Sequence, residues 1–361
     1  MPKLVPFDRL CKRCRQSFKR SQSAAPDSNM TPKLSSQRNF SIYAQVALAA
    51  ALTLAPQLTV AQQVRHPFRI GVLNEAWAAN HPAVEGLKSG LKELGLEEGR
   101  DITFEIRFTQ GNSQALLGKA VELVEKNVDL IFTSGDAAIH AAYNASDKMP
   151  IVFTQVGDSV IPRLPQIGHN IRGKITGISS LNVRLAPKRL EIIKTLVPAT
   201  RRVVAIYPVS DVSALMVVQE AQKIGPALKL EIVSGPVFGD EDVRRILKTG
   251  GPDDAFLVPD NDTLDIPSTI LETSLTSRIP AIFPTALWVS QGGLVSYGPD
   301  YYSQGVQAAR LVAKVLQGAR PQDLPVEGAE KIDLAINLKT AALLRANVPR
   351  KVLLRADGIY R

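Results

Sequence analysis

Residues Ile131–Ala142 read IFTSGDAAIHAA. The stretch begins as an apolar run and turns into a small-residue helix, with Thr133, Ser134, Gly135 and Asp136 at the joint. A short apolar run is a buried strand, and the spacing that follows is helical. Strand, polar joint and helix in that order make the repeating unit of a parallel α/β sheet. The unit ends where Pro150 opens a second apolar run, at a position where a strand tolerates proline.

The same grammar extends in both directions. FRIGVL (68–73) is a buried strand, and Leu87, Leu91 and Leu94 mark one helical face. DITFEIRF (101–108) alternates as a strand nearer an edge, and Leu116, Ala120 and Leu123 line the next helix. After GKITGISS (173–180) the pattern restarts. Leu190, Ile193 and Val197 face inward on a helix, and RRVVAIYP, KLEIVSGP, DAFLVPD, PAIFPT and GGLVSYG read as strands with helices between them. A helix over 301–317 turns Val306, Ala309, Val312 and Leu316 inward.

Strands alternating with helices imply parallel sheets covered on both faces. The strands are too many for one open sheet with short connections, so the expected fold is α/β with two doubly wound lobes. A loose internal echo between 128–153 and 253–283 agrees with two lobes. The expected crossings are Thr176–Ser180, Pro284–Ala286 and the proline-rich GARPQDLPVEG (318–328), a three-crossing hinge. On this reading residues 66–178 plus 285–326 form the first lobe, and 179–284 plus 327–361 the second.

Composition is that of an ordinary globular chain, 45% hydrophobic and 21% charged over 361 residues. The formal charge of +9 is concentrated in residues 1–40, which hold nine Lys or Arg against two Asp or Glu. The remainder is nearly neutral and has no basic stripe with interleaved aromatics, which argues against nucleic-acid binding. Residues 1–61 read as a leader. An apolar run from about Ile42 to Ala55, Pro56 and then Thr59-Val60-Ala61 fit a cleavable signal with cutting after Ala61. The run is short for a membrane span, and Met30 offers an alternative start with Lys33 and Arg38 as its basic flank. Both cysteines, Cys11 and Cys14, fall in this leader, so the mature chain has no thiol chemistry and no disulfide.

Catalytic and cofactor signatures are missing. No Gly-x-Gly-x-x-Gly follows FRIGVL, GNSQALLGKA (111–120) lacks phosphate-loop spacing, and there is no Gly-x-Ser-x-Gly elbow. The histidines His66, His81, His140 and His169 are scattered without metal-site spacing. DNDTLD (260–265) is the densest acidic cluster. It lacks the glycine turn and distal glutamate of an EF-hand loop, and a helix cap ahead of Ile266-Pro267 competes with a ligand contact. The expectation is therefore a binder with no cofactor and no metal.

Ligands in open α/β sheets bind beyond the carboxyl ends of the strands. The polar joints there are Asn74, Ser134 and Gly135, Thr154 and Gln155, with Tyr207 and Asp260 in the second lobe. Ser134 and Gly135 at a helix start can receive an anion, or Ser134 simply caps its own helix. Asp136 suits the helix dipole but repels an anionic ligand. Asp260 is the candidate partner for a ligand amine, and Trp77, Tyr207 and Trp288 are candidate apolar walls.

At these residues the chain resembles a known family, the secreted substrate-binding proteins of bacterial ABC transporters, in the group that includes binders of tryptophan and other aromatic amino acids. The matching segments include RIGVLNEA, GLKELGLEEGRDITFEIRFTQGN, PIVFTQVGDSV, ITGISSL, KRLEIIKTLVPATRRVVAIYP, GGLVSYGPD, KVLQGARPQDLPVE and INLKTA, in order across 69–341. The resemblance implies a type I periplasmic binding-protein fold, a small-molecule ligand closed between the lobes, delivery to a membrane permease, periplasmic location, a monomer and no catalysis. It places Ser134, Gly135, Thr154, Gln155, Asp158 and Asp260 in segments lining the cleft. Two rival readings stay open: a ligand-binding module serving a sensor, and a secreted enzyme using Asp158, Asp260 or Asp262 as acid and base.

Overall fold

The strand-rich runs and helical stripes of the sequence form two sheets. The structure is a computed structural model that describes residues 67–76, 79–157, 160, 171–258, 260 and 266–361. In chain order the first part gives β1 (Phe68–Asn74), α1 (Pro82–Glu93), β2 (Ile102–Phe108), α2 (Leu116–Glu125), β3 (Leu130–Ser134), α3 (Asp136–Ala145), β4 (Ile151–Val156) and β5 (Ile175–Ser179). The second gives α4 (Asn182–Leu196), β6 (Arg202–Pro208), α5 (Val212–Ile224), β7 (Glu231–Val237), α6 (Asp240–Leu247), β8 (Asp254–Leu257), α7 (Ile266–Ser277), β9 (Ala281–Phe283), α8 (Ala286–Ser290) and β10 (Val295–Pro299). The last gives α9 (Tyr301–Leu316), β11 (Glu327–Gly328), β12 (Ile332–Asn337), α10 (Leu338–Leu343), α11 (Arg350–Leu353) and β13 (Gly358–Tyr360).

The first sheet runs β11-β5-β4-β3-β1-β2, with every pair parallel. The second runs β13-β12-β10-β9-β8-β6-β7. It is parallel except at β10 and β12, which pair antiparallel, so this sheet is mixed where the sequence reading expected parallel pairing throughout. The connection between them, through α9 and β11, leaves the second sheet and returns to it, which frees β12 from the one-direction rule of a simple βαβ unit. Strand order reverses between β1 and β3 in the first sheet and between β6 and β8 in the second. Such switch points open a crevice at the carboxyl ends of the flanking strands.

Both faces of each sheet are apolar, as the hydrophobic runs require. On the first sheet, Ile70, Val72, Phe132 and Val152 meet Leu87, Leu91, Ala308 and Val312 on one face, and Leu73, Ile131 and Phe153 meet Leu123 and Ile139 on the other. The second sheet packs Val203, Ala205 and Leu257 against Leu190, Ile193 and Val217, and Val204, Phe256 and Phe283 against Val243 and Ile270. Each fully buried large aliphatic or aromatic side chain contributes about 1.5–3 kcal/mol. Leu94, expected inward, is 53% exposed, because α1 stops one residue earlier and Leu94 is its C-cap.

Helices α1 and α9 pack against each other through small residues. A methyl added at Gly86 would collide with the Tyr302 carbonyl, and one at Gly305 with the Ala83 carbonyl. That close approach fixes the start of α9 over the first sheet. The chain passes between sheets at Ser180–Leu181, at Asp300 and at Ala329–Lys331. Three passages were expected, but the second lies after β10 rather than before it. Val295–Pro299, assigned from sequence to the first lobe, therefore hydrogen-bonds within the second sheet. The passages are tied together: the Ala329 amide donates to the Ser179 carbonyl at 2.8 Å, and the Asp300 amide to the Lys331 carbonyl at 3.2 Å.

Candidate functional site

The polar residues beyond the strand ends converge on a cavity of about 330 Å³ lined from both sheets. From the first sheet come Glu75 after β1, Gly135, Asp136, Ala137 and His140 at the start of α3, and Gln155 and Gly157 at the end of β4. From the second come Ser210, Asp211 and Ser213 after β6, and Asp260 after β8. Asn182 and Tyr301, the first residues of α4 and α9, enter from two of the passages between the sheets. The volume suits a small solute, since ligand pockets run from about 300 Å³ upward.

The joint after β3 explains itself from local physics. Gly135 holds φ at +95°, a conformation that favours glycine, and it serves as the N-cap of α3 without a side-chain bond. Ser134 does not cap the helix. Its hydroxyl lies 3.3 Å from that of Thr154, and both side chains are buried beneath the cavity floor. Asp136 opens α3, and its Oδ1 accepts the Gly157 amide at 3.1 Å, tying the joint after β3 to the end of β4. Burial pushes the Asp136 carboxyl well above the ordinary carboxylate range, and the neighbouring carboxylates of Asp211, Asp260 and Glu75 add to the rise.

Gln155 sits where the register between β4 and β5 slips, at a φ of +58°. A bulge at a strand end re-aims side chains and breaks the ladder. The Gln155 amide freed by the slip donates to the Gln304 side-chain oxygen at 3.0 Å. Gln304 is buried on α9, and its own amide donates to Ser180 at 3.3 Å, beside the first passage. The Gln155 side-chain nitrogen is buried without a hydrogen-bond partner.

On the opposite wall, Asn182 links a buried cation to a carboxylate. Its Nδ2 donates to Asp260 at 2.9 Å, and its Oδ1 accepts from Arg189 at 3.2 Å. Arg189 is 1% exposed and also donates to the Tyr297 carbonyl at 2.8 Å. Burial lowers the affinity of the Arg189 guanidinium for its proton, and Asp260 offsets part of that effect. The Tyr301 hydroxyl donates to the second oxygen of Asp260. Asp211 caps α5, accepting the Ala214 amide at 2.8 Å. Glu75 accepts from the Ser113 hydroxyl, and burial raises its carboxyl above the usual range. Burial also lowers the His140 imidazole, which favours its neutral form.

Of the residues expected at the site, Gly135, Gln155 and Asp260 line the cavity. Asn74, Ser134 and Thr154 lie one layer below; Asn74 Oδ1 accepts the Ala76 amide at 3.1 Å and shapes the turn after β1. Tyr207 lines a smaller pocket that shares Asn182, Ser213 and Asp260 with this cavity; its ring also joins the core under α5 and its hydroxyl pairs with Ser234 at 3.1 Å. Trp288 stacks on Phe283, 6.2 Å between ring centroids, against the core of the second sheet. Trp77, Asp158, Asn261, Asp262 and Asp265 lie outside the described residues. Sequence reasoning missed Glu75, Ser113, Asp136 as a lining group, His140, Asn182, Asp211 and Tyr301. Asp211 was findable, since an Asp directly ahead of the apolar run VSALMVV is an N-cap signature. Asn182 and Tyr301 carry no local signal, because the crossing geometry alone brings them in.

Among the described residues no group of three or more His, Cys, Asp or Glu is placed to hold a metal. Residues 76–359 match the family described as ABC transporter substrate binding protein. A tyrosine-binding protein of Clostridioides difficile is 27% identical over 271 residues, 73% of this chain and 78% of that protein. Among solved structures, a conserved domain protein from Vibrio cholerae is 26% identical, with a TM-score of 0.72, covering 81% of this chain and all of the other. A Streptococcus domain solved with L-Trp has the same fold at 24% identity, with a TM-score of 0.73 and the same coverages.

Proposed function

Because the chain belongs to the ABC transporter substrate-binding protein family, a family that binds solutes without transforming them, we propose that the cavity between the two sheets is where it captures its solute. The observation that carries this reading is the lining itself. Asp136 and Gln155 stand at strand ends of the first sheet, Asp211 and Asp260 at strand ends of the second, all around one space. A solute touching both walls favours the closed arrangement by its differential contacts, and the three passages supply the hinge.

On this proposal Gly135, Gln155 and Asp260 touch the ligand. Asn74, Ser134 and Thr154 hold the loops that present them. The two lobes are taken as the two sheets with their covering helices, α9 belonging with the first. The liganded protein docks on a membrane permease as a monomer, in the periplasm, after the leader is removed behind Ala61. The relatives' ligands, tyrosine and L-Trp, make amines and amino acids the first compounds to try.

Native mass spectrometry of protein purified from its own host tests the capture reading. A small molecule held by the wild type and absent from Ser210→Trp supports it, since Ser210 is an exposed rim position whose replacement fills the cavity mouth. A molecule retained equally by both would place binding elsewhere.

A further inference from the structure

The cavity has an unbalanced charge. Glu75, Asp136, Asp211 and Asp260 all line it, and no Lys or Arg does so among the described residues. His140, the remaining titratable lining group apart from Tyr301, is biased toward its neutral form. Among the described residues the buried guanidinium nearby is Arg189, which lines a small adjoining pocket with Asn182 and Asp260 and donates to the Tyr297 carbonyl and the Asn182 oxygen. It offsets Asp260 in part and leaves the other three carboxylates without it.

Helix starts, the usual anion receptors, are compromised here. Asp211 caps α5 with its own carboxylate, and Asp136 occupies the first turn of α3. The amides of that turn have no side-chain cap, yet any anion reaching them sits against Asp136. An anion there drives the Asp136 carboxyl further toward its neutral form, whereas a cation draws it to the charged one. A second observation is independent of the charges: the Gln155 side-chain nitrogen, on a residue 9% exposed and held at positive φ on the cavity wall, has no partner. A buried unmet donor at a strained position marks a place where a ligand group completes the bonding.

Resting on the capture reading above, we infer that the cleft selects a small organic cation, an ammonium compound whose charge is not balanced by a carboxylate, with an uncharged acceptor for Gln155. The ammonium sits among Asp136, Asp211 and Asp260, where its N–H groups find charge-assisted acceptors. This differs from an α-amino acid, whose carboxylate would find the Gln155 amide but no Lys or Arg among the described lining residues.

The test compares compounds that differ by one group: tyramine, tyrosine and 3-(4-hydroxyphenyl)propionate, with putrescine and ethanolamine as aliphatic cations. Each is titrated calorimetrically against wild type, Asp136→Asn and Ser210→Trp. At least one amine binds wild type about tenfold or more tightly than a carboxylate-bearing counterpart, that margin being about 1.4 kcal/mol. The deaminated acid shows no binding, and Asp136→Asn narrows the margin while keeping the Gly157 contact. Tyrosine binding more tightly than tyramine, or no amine binding at all, overturns the inference. In the first case loss of tyrosine from Ser210→Trp leaves the capture reading standing. Equal binding of any compound to wild type and Ser210→Trp overturns both.

Discussion

The Tyr301 hydroxyl donates to the Asp260 carboxylate, joining the first residue of the helix over the first sheet to the end of β8 in the second. Asp260 receives Asn182 on its other oxygen, so one carboxylate collects a donor from each of two passages between the sheets. Tyr301→Phe removes the donor and keeps the ring beside His81, whose centroid lies 6.1 Å away. The expected loss is about 1.5–3 kcal/mol, the usual net worth of a hydrogen bond to a charged group. Ligand-free Tyr301→Phe should also show a larger radius of gyration by small-angle scattering. An unchanged radius would mean that this contact does not hold the lobes together.

Asp136 makes the ligand-free protein less stable than it need be. Its folded-state pKa is raised above 3.8, so its contribution is most favourable below that value and is lost as pH rises toward the folded value. Asp136→Asn keeps an oxygen for the Gly157 amide and removes the titration. The variant should match wild type near pH 4 and exceed it at pH 7, with a gain in Tm of about 2–4 °C for each kcal/mol recovered. A lower Tm at pH 7 would show that the charge is needed for the fold. The same shift predicts proton release when a cation binds, with Glu75, His140, Asp211, Asp260 and Tyr301 as the other titratable groups facing the site among the described residues. Calorimetry in buffers of different ionisation enthalpy reads it directly.

His81 behaves in the opposite sense. Its Nδ1 accepts the Ala83 amide at 3.3 Å, capping α1, and burial lowers its pKa to about 4. A histidine whose folded pKa falls below 6.5 contributes stability above that value and loses it as pH drops toward 4. NMR should therefore find the His81 imidazole neutral at pH 5.5. Titration with a midpoint near 6.5 would contradict the cap.

Gln304 is the strut beneath the strained bulge. Gln304→Leu leaves the Gln155 amide without an acceptor, at a cost of about 1–3 kcal/mol. Hydrogen exchange at the Gln155 amide should accelerate well beyond that of Thr154 on the same strand. Equal protection in variant and wild type would show that the bond does not hold the bulge.

Much of this was legible from residues 131–142 outward. Strand and helix periodicity and the two-lobed plan followed from Ile131, Phe132 and Gly135, because buried strands and glycine joints leave local signatures. The family resemblance carried by GGLVSYGPD and similar segments led to the family that the comparison then matched. What stayed hidden was set by tertiary geometry. No periodicity shows that Val295–Pro299 joins the second sheet, that β12 runs backwards, or that Asn182 and Tyr301 meet at Asp260.

Capture between the two sheets is most directly tested by a crystal structure of the protein loaded with the solute that co-purifies from its host. The account predicts that solute in contact with both Asp136, at the end of the first sheet, and Asp211 or Asp260, at the end of the second. Density lying against one sheet alone, or outside this cavity altogether, would contradict it.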